Sequence, residues 1–82
     1  MKKNEIFSII CQILIKEYKV KKKDLGENVK LYDLDRWDSL KQLDLIMRLE
    51  NDFGFQFAIN ENFDIETIND FVKIILKNIK ND

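Results

Sequence analysis

An all-α fold, a small four-helix bundle of three main helices and one short one, is what this 82-residue chain predicts. Three observations carry the prediction. Apolar residues recur at helical spacing in three separate stretches. There is no proline and there are only two glycines, Gly26 and Gly54, so the chain has few places at which to break a helix or turn tightly. The one alternating stretch, Phe55, Phe57 and Ile59, has no partner strand, and it reads as an extended loop feeding rings into the core.

The first helix is expected over residues 4–19, with Asn4 as its N-cap and Ile6, Ile9, Ile10, Ile13, Leu14 and Tyr18 on one face. Cys11 lies at the edge of that face and reads as a small hydrophobe. Residues 20–38 form a long connection between helices 1 and 2, pinned to the core by Val29, Leu31 and Leu34. The second helix is expected over 39–53, with Leu40, Leu43, Ile46, Met47, Leu49 and Phe53 as its apolar positions and Lys41, Asp44, Arg48, Asn51 and Asp52 as its polar stripe. Gly54 suits the residue that closes it. A short helical turn is expected from Glu61 to Ile65. Thr67 with Asp70 three residues on resembles a capping box, and Ile68, Phe71, Val72, Ile75, Leu76 and Ile79 give the last helix its apolar face.

Length and composition narrow the function. The chain fits one domain, 1–82, and buries roughly 60–65% of its unfolded surface, too little to wall off a deep pocket beside the core. At 45% apolar and 35% charged it reads as globular and not disordered. A single cysteine excludes an internal disulfide and a cysteine-based zinc site. The absence of histidine removes Ser-His-Asp and Cys-His catalysis and histidine metal sites. No catalytic and no metal-binding residues are assigned, and the chain does not read as an enzyme.

Charge is segregated. Residues 1–23 hold seven lysines against two glutamates, whereas residues 24–70 hold four cations against twelve acids. An acidic central segment disfavours nucleic acid as a partner and favours protein surfaces. Glu5, Gln12, Lys16 and Glu17 interrupt the apolar run that a signal peptide would need, and no run approaches the ~18 residues of a membrane span. A cytoplasmic monomer is expected.

The residues that point to chemistry are Asp38-Ser39-Leu40, where the polar connection becomes the second helix. With Asp38 as N-cap, Ser39 stands in the first turn, beside unpaired backbone N–H groups and the positive end of the helix dipole. That position suits a phosphate. No base is available to make Ser39 a nucleophile, so it reads as a residue that is modified and not one that catalyses.

The order of helix, long loop, Asp38-Ser39-Leu40, second helix running through Leu49-Glu50-Asn51-Asp52-Phe53-Gly54, short turn and last helix resembles the acyl carrier protein family over nearly the whole chain. The resemblance implies that Ser39 receives 4′-phosphopantetheine from coenzyme A through a phosphopantetheinyl transferase. The flexible arm would then hold acyl intermediates as a thioester and present them to partner enzymes in fatty-acid-like or specialised biosynthesis. It further implies an acyl- or aminoacyl-activating ligase and acyl-processing enzymes as partners. Asp38 would help to hold the transferase's magnesium, and Asp38, Leu40, Leu43, Asp44, Met47 and Glu50 would form a docking face. From the pattern alone, Leu40, Leu43 and Met47 read as core, and Asp44 and Glu50 read equally as solvated surface or as docking residues.

Several residues depart from the family pattern. Trp37 stands where many carriers have a small residue, Lys41 and Arg48 dilute the acidic helix, and Ala58 replaces a common proline. These departures point to a specialised carrier serving a dedicated pathway. Two alternatives stay open: an aminoacyl or peptidyl carrier, and a cofactor-free helical adaptor.

Overall fold

A computed structural model of the chain describes residues 1–58 and 64–79. Among the described residues, the helices α1 (Lys3–Tyr18), α2 (Ser39–Phe53) and α3 (Ile68–Ile79) surround one apolar core. Two 3-10 turns, Lys22–Asp24 and Leu31–Asp33, shape the connection between α1 and α2. Among the described residues there is no strand, only an isolated antiparallel bridge between Lys30 and Thr67. The short helical turn expected over 61–65 lies largely outside the described residues, as does Ile59.

Helix α1 starts one residue earlier than its pattern suggests. Its cap is Lys2 and not Asn4, because the Glu5 carboxylate reaches back to accept the Lys2 N–H at 2.8 Å. Ile6, Ile10 and Leu14 are fully buried, and α1 packs against α3. At the other end Lys19 takes a left-handed conformation, φ 61°, and the Val20 N–H closes the helix on the Leu14 carbonyl at 3.1 Å.

Helix α3 opens as its sequence predicts. Asp70 accepts the Thr67 N–H at 2.9 Å, and Thr67 Oγ1 accepts the Asp70 N–H at 3.1 Å. Ile68, Phe71, Val72 and Ile75 face inward, each gaining about 1.5–3 kcal/mol over exposure. Phe57 meets Phe71 edge-on at 5.9 Å, so the extended segment after α2 does feed rings into the core.

The connection is fastened at both ends of its second half. Leu31 and Leu34 are buried. The Leu31 N–H donates to the Glu66 carbonyl at 2.9 Å, and the Asn69 N–H at the start of α3 donates to the Glu27 carbonyl at 3.1 Å. These bonds satisfy backbone groups that a loose loop would leave to water.

Candidate functional site

The chain reaches α2 through a tight, braced turn. Arg36 is left-handed, φ 64°, an uncommon conformation for a residue with a side chain. Lys41, from the first turn of α2, donates its ammonium to the Arg36 carbonyl at 2.8 Å and so holds the turn. Trp37 follows, 7% exposed, and its indole N–H donates to Gln42 Oε1 at 2.9 Å. That bond explains why an amide is buried on α2. The sequence pattern missed Gln42, although the sole tryptophan five residues before it was the available signal.

Asp38 caps α2. Its Oδ1 accepts the Lys41 N–H at 2.9 Å, and its carbonyl accepts the Gln42 N–H at 3.0 Å. Ser39 is the first residue of the helix and is exposed. Among the described residues nothing hydrogen-bonds its side chain. Its hydroxyl is therefore reachable from outside and lies at the positive end of the helix dipole, where an added anionic ester gains on the order of 0.3–1 kcal/mol.

Helix α2 carries two apolar sides, and only one is core. Leu45, Ile46 and Leu49 are buried with Gln42, a spacing of three, four and seven residues. Leu40, Leu43 and Met47 instead face solvent, at 76%, 52% and 66% exposure. The expectation that these three serve the core is corrected here. The register is set by Leu45 and Leu49, and the helical period then turns Leu40, Leu43 and Met47 outward together. They form an apolar stripe running away from Ser39.

Beyond Asp38, which caps the helix, the other two acids expected on the docking face, Asp44 and Glu50, are engaged within the molecule. Asp44 accepts the Tyr18 hydroxyl and pairs with Arg48 Nε at 3.2 Å. The Tyr18 hydrogen bond, then the one from Arg48, holds its carboxyl below the ordinary range. Burial, reinforced by the Asp44 carboxylate, pushes Tyr18 up to about 12. Arg48 also lies over the Tyr18 ring, 5.8 Å from its centroid, and reaches Glu17 at 3.6 Å. Glu50 is half-buried, and its Oε2 accepts the Phe57 N–H at 2.8 Å, bracing the segment after α2. The polar stripe of α2 contains Asp44 and Arg48, whereas their partners Tyr18 and Glu17 come from α1 and are not part of that pattern.

Elsewhere, Cys11 is half-buried and burial raises its thiol pKa. Among the described residues, no three Cys, Asp or Glu side chains form a group that could hold a metal ion, and no helix is long and apolar enough to cross a membrane.

With this geometry in place, comparison with known proteins is decisive. A family model for the phosphopantetheine attachment site matches residues 8–75. An acyl carrier protein of Lactobacillus acidophilus is 33% identical over 76 residues, spanning 92% of this chain and 94% of the relative. The chain belongs to the acyl carrier protein family. Its cofactor is accordingly 4′-phosphopantetheine, covalently attached, and its role is that of an acyl carrier. The fold agrees: a solved acyl carrier protein of Enterococcus faecalis superposes on this carrier with a TM-score of 0.75, over 100% of both chains at 20% identity. Membership also implies a phosphopantetheinyl transferase and acyl-processing enzymes as this carrier's partners.

The residues present fit the prosthetic group. A phosphodiester to serine needs an exposed, uncommitted hydroxyl beside a local positive potential, and Ser39 combines these.

Proposed function

We propose that Ser39 is the attachment residue for 4′-phosphopantetheine, and that residues 1–82 work as one carrier domain. The observation that carries this reading is the exposed Ser39 hydroxyl at the first position of α2, with Asp38 occupied in capping and no competing bond on the serine among the described residues. When bound, the group supplies a flexible arm ending in a thiol on which a cargo is held. The chain's own residues do the rest. Asp38 orders the helix start. Lys41 and the Trp37–Gln42 bond fix the turn before Ser39. The exposed Leu40, Leu43 and Met47 offer partner enzymes an apolar contact beside the arm.

On this reading the protein makes and breaks no bonds itself. Acyl-processing enzymes and an activating ligase act on what it presents, and it works as a cytoplasmic monomer. Asp44 contributes to docking through the charge it shares with Arg48. Glu50 contributes by holding the segment beside Met47 in place. Lys41 and Arg48 on α2 favour a dedicated pathway over bulk fatty-acid synthesis.

The test is direct. Incubated with coenzyme A and a broad-specificity phosphopantetheinyl transferase, the chain gains one phosphopantetheinyl mass, located on the peptide containing Ser39. Ser39→Ala gains none and keeps its helical circular dichroism. An unmodified mass beside an actively modified control carrier would leave a helical adaptor as the better reading.

A further inference from the structure

A groove of about 430 Å³ lies between the end of α1 and the turn leading into α2. Its apolar wall is made by Tyr18, Leu34 and Trp37, the first two flanking the single tryptophan, whose ring meets Tyr18 edge-on at 5.3 Å. Its polar lining holds more cations than acids. Lys19, Lys21, Arg36 and Lys41 line it against only Asp24 and Asp35. Lys19 and Lys21 come from the basic first 23 residues, and Arg36 and Lys41 are two of the four cations in residues 24–70, so the two segments meet here to give a lining that is cationic on balance. Three of the lining residues, Arg36, Trp37 and Lys41, lie within three positions of Ser39. Cations above an apolar wall attract an anion more strongly than the same cations in open water, because the wall excludes solvent.

We propose that this groove is a subsite for an oxyanion on an apolar stem, carried by the modified Ser39. The inference rests on the attachment proposed above. Two sources share that chemistry, the phosphodiester joining the arm to Ser39 and a free carboxylate on the cargo. Either places a negative charge among Lys19, Lys21, Arg36 and Lys41 and an apolar chain along Trp37.

Trp37 is the only tryptophan, so it reports on the groove without labelling. Three loaded forms are prepared with the transferase, from coenzyme A, butyryl-coenzyme A and succinyl-coenzyme A, each verified by intact mass. The indole N–H resonance and emission of Trp37 are compared with those of the unloaded chain. A shift common to all three forms identifies the phosphodiester as the occupant, and a shift confined to the succinyl form identifies the cargo carboxylate. In either case the shift shrinks as salt is raised, since screening weakens exposed charges, and it is lost in the Lys19→Glu, Lys21→Glu double variant. Loading with Trp37 unmoved in every form, a shift confined to the butyryl form, or a shift indifferent to both salt and the double variant overturns this inference alone. Failure to gain mass overturns the attachment at Ser39 and this inference with it.

Discussion

Trp37 and Gln42 form a buried side-chain hydrogen bond, indole N–H to amide oxygen at 2.9 Å, across the point where the connection enters α2. It fixes the turn relative to the helix, and Ser39 lies between its two partners. Gln42→Leu leaves the indole N–H without its acceptor and is expected to cost about 1–3 kcal/mol. Urea denaturation measures that cost. In a Trp37→Phe background the same substitution should cost much less, since no donor remains to be orphaned.

The two apolar sides of α2 separate by stability. Leu45→Ala opens the core and should cost about 2–5 kcal/mol. Leu43→Ala lies on the exposed side and should stay within about 0.5 kcal/mol. Comparable losses for the two would contradict the register described.

The exposed stripe separates from folding by function. Leu43→Asp and Met47→Asp place charge in an apolar contact and should lower kcat/KM for transferase loading, while urea midpoints stay near that of the parent chain. Unchanged loading kinetics for both would remove the stripe from the docking surface.

Removal of the Asp38 cap loosens the first turn of α2. Asp38→Ala should cost about 1 kcal/mol, within the usual range for a lost N-cap. Amide exchange should accelerate first at Lys41, whose N–H loses its acceptor.

The Tyr18–Asp44 bond predicts the direction of pH effects. Tyr18 is held protonated to about 12, against an ordinary value near 10. Its contribution is therefore complete below about pH 10 and is lost as pH rises through about 12. The Asp44 carboxyl is shifted down, so its contribution holds above the ordinary carboxylate pKa and is lost as pH falls through its lowered one. Ultraviolet titration of the phenolate should show Tyr18 ionising late, and Asp44→Asn should bring it earlier.

Much of this is legible in the sequence. The bounds of α2, its closing glycine and the Thr67–Asp70 box follow from local patterns, and local bonds realise them. Ser39 was legible because capping chemistry at Asp38 is local too. The facing of α2 was not. Its sequence offers apolar residues on two sides, and only packing against Ile10, Phe71 and their neighbours selects Leu45 and Leu49. Gln42, Tyr18 and Glu17 were hidden for a related reason. Gln42 is inward because a ring from the preceding turn reaches it, and Tyr18 and Glu17 reach α2 from α1.

The paired backbone ties from Glu27 and Leu31 to the entry of α3 have a mechanical consequence. They couple the loop that delivers Ser39 to the last helix, so the two move as one piece. Any widening of the interior for a bulky guest then starts with rearranged side chains or a tilt of α2, because swinging α3 outward would first unzip its own doorway.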